Sequence, residues 1–348
     1  MNAEQRNCQN CRTSFVIEPE DFVFYEKMNV PPPTWCPECR LIRRMAFDNL
    51  RTIYSGGRCA KCGKGIIASL PPTTDRTLYC NACWWSDSWE GLEYGCDVDF
   101  SKPFLQQIKE LMAVVPQMAR SVDEPTMANS DYTNKVGHLK NCYLLFESSF
   151  NEDCGYCDST RGSKDCFDCS RTIESELCFK CVNLRKCYKA VHSIDCENSN
   201  EIIFCRDLSG CSNCFGCVGL RNKQYCYFNE QLTRDDYEKR VTTLRFGSHN
   251  AMREVQARAQ EFWLTFPRRY MHGKNNEDTS GDYISYSKNT HHSFQVSQCE
   301  NCKYCALLVP TVKDSYDYVS WGCATSRIYE CMTVGENSDR CLFSYMVW

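Results

Sequence analysis

Cysteine recurs through the middle of the chain at a fixed step. From Cys169 a step of nine residues leads in turn to Cys178, Cys187, Cys196, Cys205 and Cys214, and Cys157 to Cys166 and Cys217 to Cys226 repeat that step. A short fixed period constrains a fold strongly, because every repeat must place equivalent side chains in equivalent surroundings. Stacked parallel strands lie about 4.8 Å apart, so equivalent inward positions form ladders. Cysteine suits an inward ladder: it is small, among the most buried residue types, and needs no strong hydrogen-bond partner. A straight strand alternates its faces. Both cysteines of Cys154-x2-Cys157, Cys166-x2-Cys169 and Cys178-x2-Cys181 can therefore point inward only if a corner lies between them. Two nine-residue steps predict a coil of about 18 residues, longer where the step is 12. Aromatics such as Tyr143, Phe146, Phe150, Phe167, Phe179, Tyr188, Phe204, Phe215 and Tyr225 are expected to fill the remaining core. Extra zinc knuckles are a second reading of the same cysteines, although the lone Cys187, Cys196 and Cys205 suit it poorly. Disulfide rungs or redox thiols are a third.

The first 96 residues use cysteine differently. Cys8-x2-Cys11 and Cys36-x2-Cys39 form one four-thiolate set; Cys59-x2-Cys62 and Cys80-x2-Cys83 form a second. Zinc takes four tetrahedral ligands, and each CxxC knuckle presents two sulfurs to one ion, so two zinc ions are expected. The long gap from Cys39 to Cys59 favours sequential pairing over a cross-brace. A strand at Phe15-Val16-Ile17, a helix over Pro19 to Met28 and a helix over Arg40 to Phe47 are predicted around the first set, with Pro31-Pro32-Pro33 between the helices. Arg40, Arg43 and Arg44 are candidate partner-binding residues for phosphate or an acidic protein, against the plainer reading of a solvated basic face. Trp84, Trp85 and Trp89 are read as filling the small core of the second module rather than stacking on bases.

Cys8-x2-Cys11, Phe15, Glu20, Phe24-Tyr25, Pro31 and Cys36-Pro37-Glu38-Cys39-Arg40 together resemble a small bacterial zinc-ribbon (treble-clef) module, over about residues 6 to 47. The whole chain is similar to cysteine-rich zinc-binding proteins of small-genome bacteria, a resemblance that brings no established activity with it. In spacing only, the middle cysteines resemble the cysteine-bearing β-helix of tubulin-cofactor-C-like and cyclase-associated proteins; no function is carried across.

Ser101 as N-cap and the stripe Phe104, Leu105, Ile108, Leu111, Met112 and Val115 predict an amphipathic helix, expected to cap the open end of the coil stack. After Cys226 the cysteines stop until Cys299. Asp235 to Leu244 and His249 to Trp263 read as two helices broken at Gly247, with Val255, Ala259, Phe262 and Phe266 on an apolar face. Residues 231–274 hold nine Lys or Arg against five Asp or Glu, and Arg268, Arg269 and Lys274 close this basic stretch. The hairpin reads equally as a binding element or as a lateral strut. Asp282-Tyr283 and Ser293-Phe294 then mirror Asp131-Tyr132 and Cys142-Tyr143, and Cys305, Cys323 and Cys341 fall 18 apart, so the stack is expected to resume and run to Met346-Val347-Trp348 as an end plug.

The expected architecture is mainly β: a parallel β-helix (solenoid) with a helical-hairpin insertion, preceded by two small zinc-binding treble-clef or ribbon modules. Its boundaries are 1–50, 51–96, a capping helix and linker at 97–130, and the solenoid at 131–348 with the insertion at about 231–274. A net charge of −4 argues against a non-specific nucleic-acid coat. No apolar run is long enough to span a bilayer, and the polar, knuckle-bearing N-terminus does not read as a secretory signal. Twenty-nine cysteines without such a signal point to a reducing cytoplasm. There is no phosphate-cradling glycine loop, no HExxH and no GxSxG, and no catalytic residue is assigned. The functional expectation is a non-catalytic zinc-binding scaffold that contacts a protein, or nucleic acid, through the zinc modules and the hairpin. A thiol-based redox or metal-handling protein is the alternative, motivated by the 21 cysteines outside the two sets.

Overall fold

The computed structural model describes residues 2–49, 51–244 and 247–347. The chain is mainly β. It divides into two compact units, one made of residues 1–48 with 268–348 and the other of 49–267.

The first unit begins with an antiparallel hairpin, Glu4–Asn7 against Ser14–Ile17, in the register Glu4↔Ile17. Helix α1 (Pro19–Met28) follows. Its first turn is fixed by Asp21, whose carboxylate accepts the Glu18 N–H at 3.2 Å, and its end by Asn29, whose φ of 54° allows the left-handed cap. Helix α2 (Pro37–Met45) starts at Pro37, three residues before the predicted position, because Cys36 supplies an extended N-cap and proline is preorganised for a first turn. The rest of this unit is a parallel sheet built from Glu277–Ser285, Lys288–Ser297, Cys299–Lys303, Ala306–Val309, Val312–Gly322, Tyr329–Gly335 and Tyr345–Val347. Its step lengthens from twelve residues (Thr290↔Cys302, Phe294↔Ala306) to thirteen (Cys299↔Val312, Tyr316↔Tyr329, Met332↔Tyr345). Ile284, Val296, Cys302, Cys305, Leu308 and Cys331 line its interior. Cys323 does not: it is exposed, so the 18-residue spacing of Cys305, Cys323 and Cys341 is not an inward ladder. Val347 packs beside this interior; Trp348, the rest of the expected plug, lies outside the described residues.

In the second unit the knuckles of residues 59–83 are joined by an antiparallel hairpin, Tyr54–Arg58 with Gly65–Ala68, and a one-turn helix α3 (Asn81–Trp84). Trp84 and Trp89 pack at 4.9 Å and Tyr79 abuts Trp89, so this small module is filled by its aromatics, while Trp85 points to solvent. Helix α4 (Phe104–Val114) begins after Pro103, not at Ser101, whose hydroxyl is taken by Asp99. None of its residues is fully buried: Phe104 and Leu105 are exposed, and Ile108, Leu111 and Met112 are half-buried.

From Cys142 to Cys217 every third residue is buried, and the residue preceding each one, from Leu144 to Gly216, has a positive φ. This is the predicted corner, and it recurs at every triplet. A left-handed residue costs about 1–2 kcal/mol for an L side chain, and Asn, Asp and Gly bear it best; Asp153, Asp165, Asn183, Asn198 and Gly210 occupy such positions. Strands pair in parallel with partners twelve residues on: Asn134↔Phe146, Ser170↔Val182, Asn200↔Ser212, Cys214↔Cys226. The expected 18-residue repeat is therefore corrected to a parallel register of twelve residues, with four buried positions in each. Nine is the spacing between a thiol and the carbonyl it meets: Cys157 Sγ lies 3.4 Å from Cys166 O, Cys187 Sγ 3.4 Å from Cys196 O and Cys205 Sγ 3.3 Å from Cys214 O.

The backbone explains why the interior is Cys, Ser, Thr and Asn. Of each triplet, two N–H groups bond across the parallel register, as Asp153 N–H to Lys140 O and Gly155 N–H to Cys166 O, both at 3.0 Å. The third, on the inward residue, is repeatedly satisfied by an inward side chain twelve residues earlier. Cys187 N–H reaches Ser175 Oγ at 3.0 Å, Cys205 N–H reaches Ser193 Oγ at 3.2 Å, Ser163 N–H reaches Asn151 Oδ1 at 2.9 Å and Ser193 N–H reaches Cys181 Sγ at 3.5 Å. A buried N–H without an acceptor is costly, so hydrophobes cannot fill all inward positions. The cysteines are thus chosen partly for hydrogen bonding, which small size alone did not suggest. Aromatic rings are too large for this interior. Tyr143, Phe150, Phe167, Phe179 and Tyr188 lie on the outside, and Phe204 and Phe215 are buried on an outer face. Helices α5 (Arg234–Thr242, capped by Thr233) and α6 (His249–Leu264, capped by Ser248) cover that face. Tyr237, Val255, Ala259, Phe262, Trp263 and Phe266 pack there against Phe204, Phe215 and Tyr227, as the strut reading requires.

Candidate metal centres and the charged network beside the first

The sulfurs of Cys8, Cys11, Cys36 and Cys39 lie within 4.8 Å of one another, and so do those of Cys59, Cys62, Cys80 and Cys83. The sets are the sequential ones. Four ligands at zinc's sulfur distance define a tetrahedron with S···S edges of about 3.8 Å. Cys11 Sγ to Cys36 Sγ is 3.7 Å and Cys62 Sγ to Cys80 Sγ is 3.9 Å, so each set could hold one metal ion without rearrangement. Local folding explains the geometry. Each set joins one knuckle on a tight hairpin (Cys8 N–H to Thr13 O at 2.9 Å; Cys59 N–H to Lys64 O at 2.8 Å) to a second at a helix N-terminus, with Cys36 and Cys80 as N-caps. Backbone donors converge on the sulfurs, as Cys80 N–H on Cys59 Sγ at 3.3 Å. Burial alone would raise Cys8 and Cys59, yet these backbone N–H groups outweigh it and hold both thiols down at about 6. Cys36 and Cys83, by contrast, are pushed up to about 12 by burial, so within each set one sulfur is prepared as a thiolate and another gives up its proton when an ion binds.

The remaining cysteines differ. All are unbridged, and among the described residues only the two sets above gather into metal-sized groups. Within the sheets the thiols donate to carbonyls, as Cys154 to Glu152 O at 3.2 Å and Cys217 to Phe215 O at 3.3 Å. Burial pushes Cys187, Cys196 and Cys205 above the usual thiol range, so they stay neutral.

Arg40 and Arg44 are not a solvated basic face. Both are buried against the strands of their own unit. Arg40 Nε donates to Asp317 at 3.0 Å and Arg40 NH1 to Trp35 O at 2.7 Å; Arg44 meets Asp317 at 3.0 Å and Glu330 at 3.1 Å. Arg43, half exposed, pairs with Glu330 at 2.8 Å and lies over the Trp35 ring. Lys303 adds a buried pair with Asp21 of α1 at 2.7 Å. Helix α2 puts Arg40 and Arg44 four residues apart, on one face, directly after Cys39. The sequence reading missed their partners. The signal was present in Asp317 and Glu330, each a lone carboxylate inside an apolar strand run (Tyr316-Asp317-Tyr318-Val319; Tyr329-Glu330-Cys331). Arg268, Arg269 and Lys274 are exposed, the first two in the segment after α6 and the last in the short strand Gly273–Lys274.

No family model matches this chain, and no curated protein matches it. Among the described residues no helix is long and apolar enough to cross a membrane.

Proposed function

We propose that this protein is a zinc-stabilised, non-catalytic scaffold that engages a protein or nucleic-acid partner. In this reading its N-terminal sulfur sets are zinc-ribbon or treble-clef modules, and its twelve-residue parallel register is a β-helix. The observation that carries the proposal is the closed character of both sets: four sulfurs at tetrahedral spacing leave no position for water or substrate, which is the pattern of a structural ion. The buried pairs of α2 with Asp317 and Glu330 add support, since they tie the first module to a rigid support. A thiol-redox role has less support, because thiols such as Cys187, Cys196 and Cys205 are buried, pushed up by that burial and held by carbonyls. The contact surface is assigned to the exposed cations Arg43, Arg268, Arg269 and Lys274.

The test is affinity capture from lysate on zinc-loaded protein, with and without nuclease, alongside an Arg268→Glu/Arg269→Glu/Lys274→Glu variant. A specific partner recovered by the wild type and lost by the variant is expected. Recovery of neither protein nor nucleic acid would count against the reading.

A further inference from the structure

One outer face of the second unit is aromatic along its whole length. Tyr132 meets Tyr143 at 5.6 Å and Tyr143 meets Tyr156 at 5.7 Å. Phe167 lies over Gly155, where an added Cβ would meet its ring at 2.9 Å, so glycine is required for that ring to lie flat. Phe179 meets His192 at 5.9 Å, His192 stacks on Phe204 at 4.8 Å, and Phe215 stacks on Tyr227 at 5.2 Å. The far end of this row, Phe204 to Phe228, is covered by α5 and α6. The near end is bare: Tyr132, Tyr143, Tyr156, Phe167 and Phe179 are each between 41% and 56% exposed. The same unit carries a second uncovered apolar element, the start of α4 with the turn before it, where Phe100, Phe104 and Leu105 are 97%, 59% and 78% exposed. Gln107 ties the two segments together, accepting the Asp99 N–H at 2.8 Å and donating to Asp99 O at 2.9 Å.

We infer that the bare half of the aromatic face is the docking site for α4 of a second copy of this chain, giving a two-fold dimer. Three observations select this occupant. The covered half of the same row is packed by amphipathic helices, so the face is already shown to take a helix. Helix α4 is amphipathic and leaves its first apolar residues, Phe104 and Leu105, exposed, while Ile108, Leu111 and Met112 further along are half-buried. Reciprocal docking that covered every residue named here completely would bury roughly 900 Å² per partner, which reaches the size of a stable interface. An isologous contact of this kind closes on itself. None of these residues belongs to the sulfur sets, so the inference does not depend on the metal reading.

The experiment is analytical ultracentrifugation of the zinc-loaded full chain from about 1 to 100 µM, a range in which an interface of this size is populated. The wild type is expected to be dimeric. Leu105→Asp, at an exposed helix position, and Phe167→Asp, at an exposed face position, are each expected to weaken association at least tenfold while leaving the circular dichroism unchanged. Mixing the two variants restores one intact α4-to-face contact and is expected to recover part of the dimer. A wild type that stays monomeric throughout would overturn the inference, as would a dimer indifferent to both substitutions, including one in which the aromatic row serves a different ligand.

Discussion

Ser175 offers the sharpest perturbation of the stacked strands. Its hydroxyl accepts the Cys187 N–H at 3.0 Å and donates to Ile173 O at 2.9 Å, while its own N–H reaches Ser163 Oγ at 3.2 Å. Ser175→Ala keeps the size nearly constant and removes one donor and one acceptor from a fully enclosed site. The orphaned Cys187 N–H costs about 1–3 kcal/mol and the lost bond to Ile173 about 1 kcal/mol more, partly offset by the gain of a buried methyl. A net loss of about 2–3 kcal/mol is expected. Ser175→Cys should cost less than about 1 kcal/mol, because a thiol can donate to the carbonyl and accept the N–H, as Cys181 Sγ accepts from Ser193 N–H at 3.5 Å. The chain has two compact units, so a single unfolding midpoint is an unsafe readout. Hydrogen exchange of the peptide containing the Cys187 amide reports the local effect directly. The reasoning predicts roughly 30- to 150-fold faster exchange in Ser175→Ala and near-native exchange in Ser175→Cys. Equal exchange in wild type and Ser175→Ala, or equal damage from both variants, would refute it.

Other outcomes follow from the charged network and the sulfur sets. Arg44→Ala takes one of two buried cations from Asp317 and Glu330, leaving Arg40 and the half-exposed Arg43 to pair two carboxylates, and should destabilise the first unit by about 3 kcal/mol, whereas Arg43→Ala, at a half-exposed pair, should cost under about 1 kcal/mol; urea unfolding followed by exchange of α2 separates them. Chelation of the metal should raise exchange in α1 and α2 and around Trp84, while the Cys142–Cys217 region keeps its protection; loss of protection there instead would contradict the division of sulfur roles. Asp282 is held below the usual carboxylate range: burial raises it, but the His272 and Tyr283 N–H groups and the His272 ring outweigh that. A depressed folded-state carboxyl stabilises above its unfolded value and loses that contribution as pH falls through the folded one. Asp282→Asn should therefore lower the first unit's stability at pH 7, change it little once the pH is below the folded-state value, and so flatten its acid limb below about pH 4.

Much of this was readable in the residues, and the failures have physical causes. CxxC pairs fix their own partners through the four-ligand requirement, and Thr233, Ser248 and the apolar face of Val255, Ala259 and Phe262 mark the hairpin helices by capping and period. The inward corner between paired cysteines followed from strand geometry. The coil length did not, because the cysteine step records a thiol-to-carbonyl contact and not the strand register. The true three-residue period is shared among Cys, Ser, Thr, Asn, Leu and Ala, as in Cys157, Thr160, Ser163 and Cys166, so no single residue type displays it. The aromatics were misplaced for the same reason: a four-position interior has room for a thiol or a hydroxyl and none for a ring. Arg40 and Arg44 were read as surface because their carboxylate partners lie some 280 residues later, where only folding brings them together.

The most direct test is a joint count of metal and reactive thiol on native protein purified without oxygen. The account predicts two zinc ions per chain and two fast-reacting thiols, Cys96 and Cys323, which are exposed and outside both sets, with all 29 reacting after denaturation with chelator. More than two metals, or many fast thiols in the native state, would contradict it.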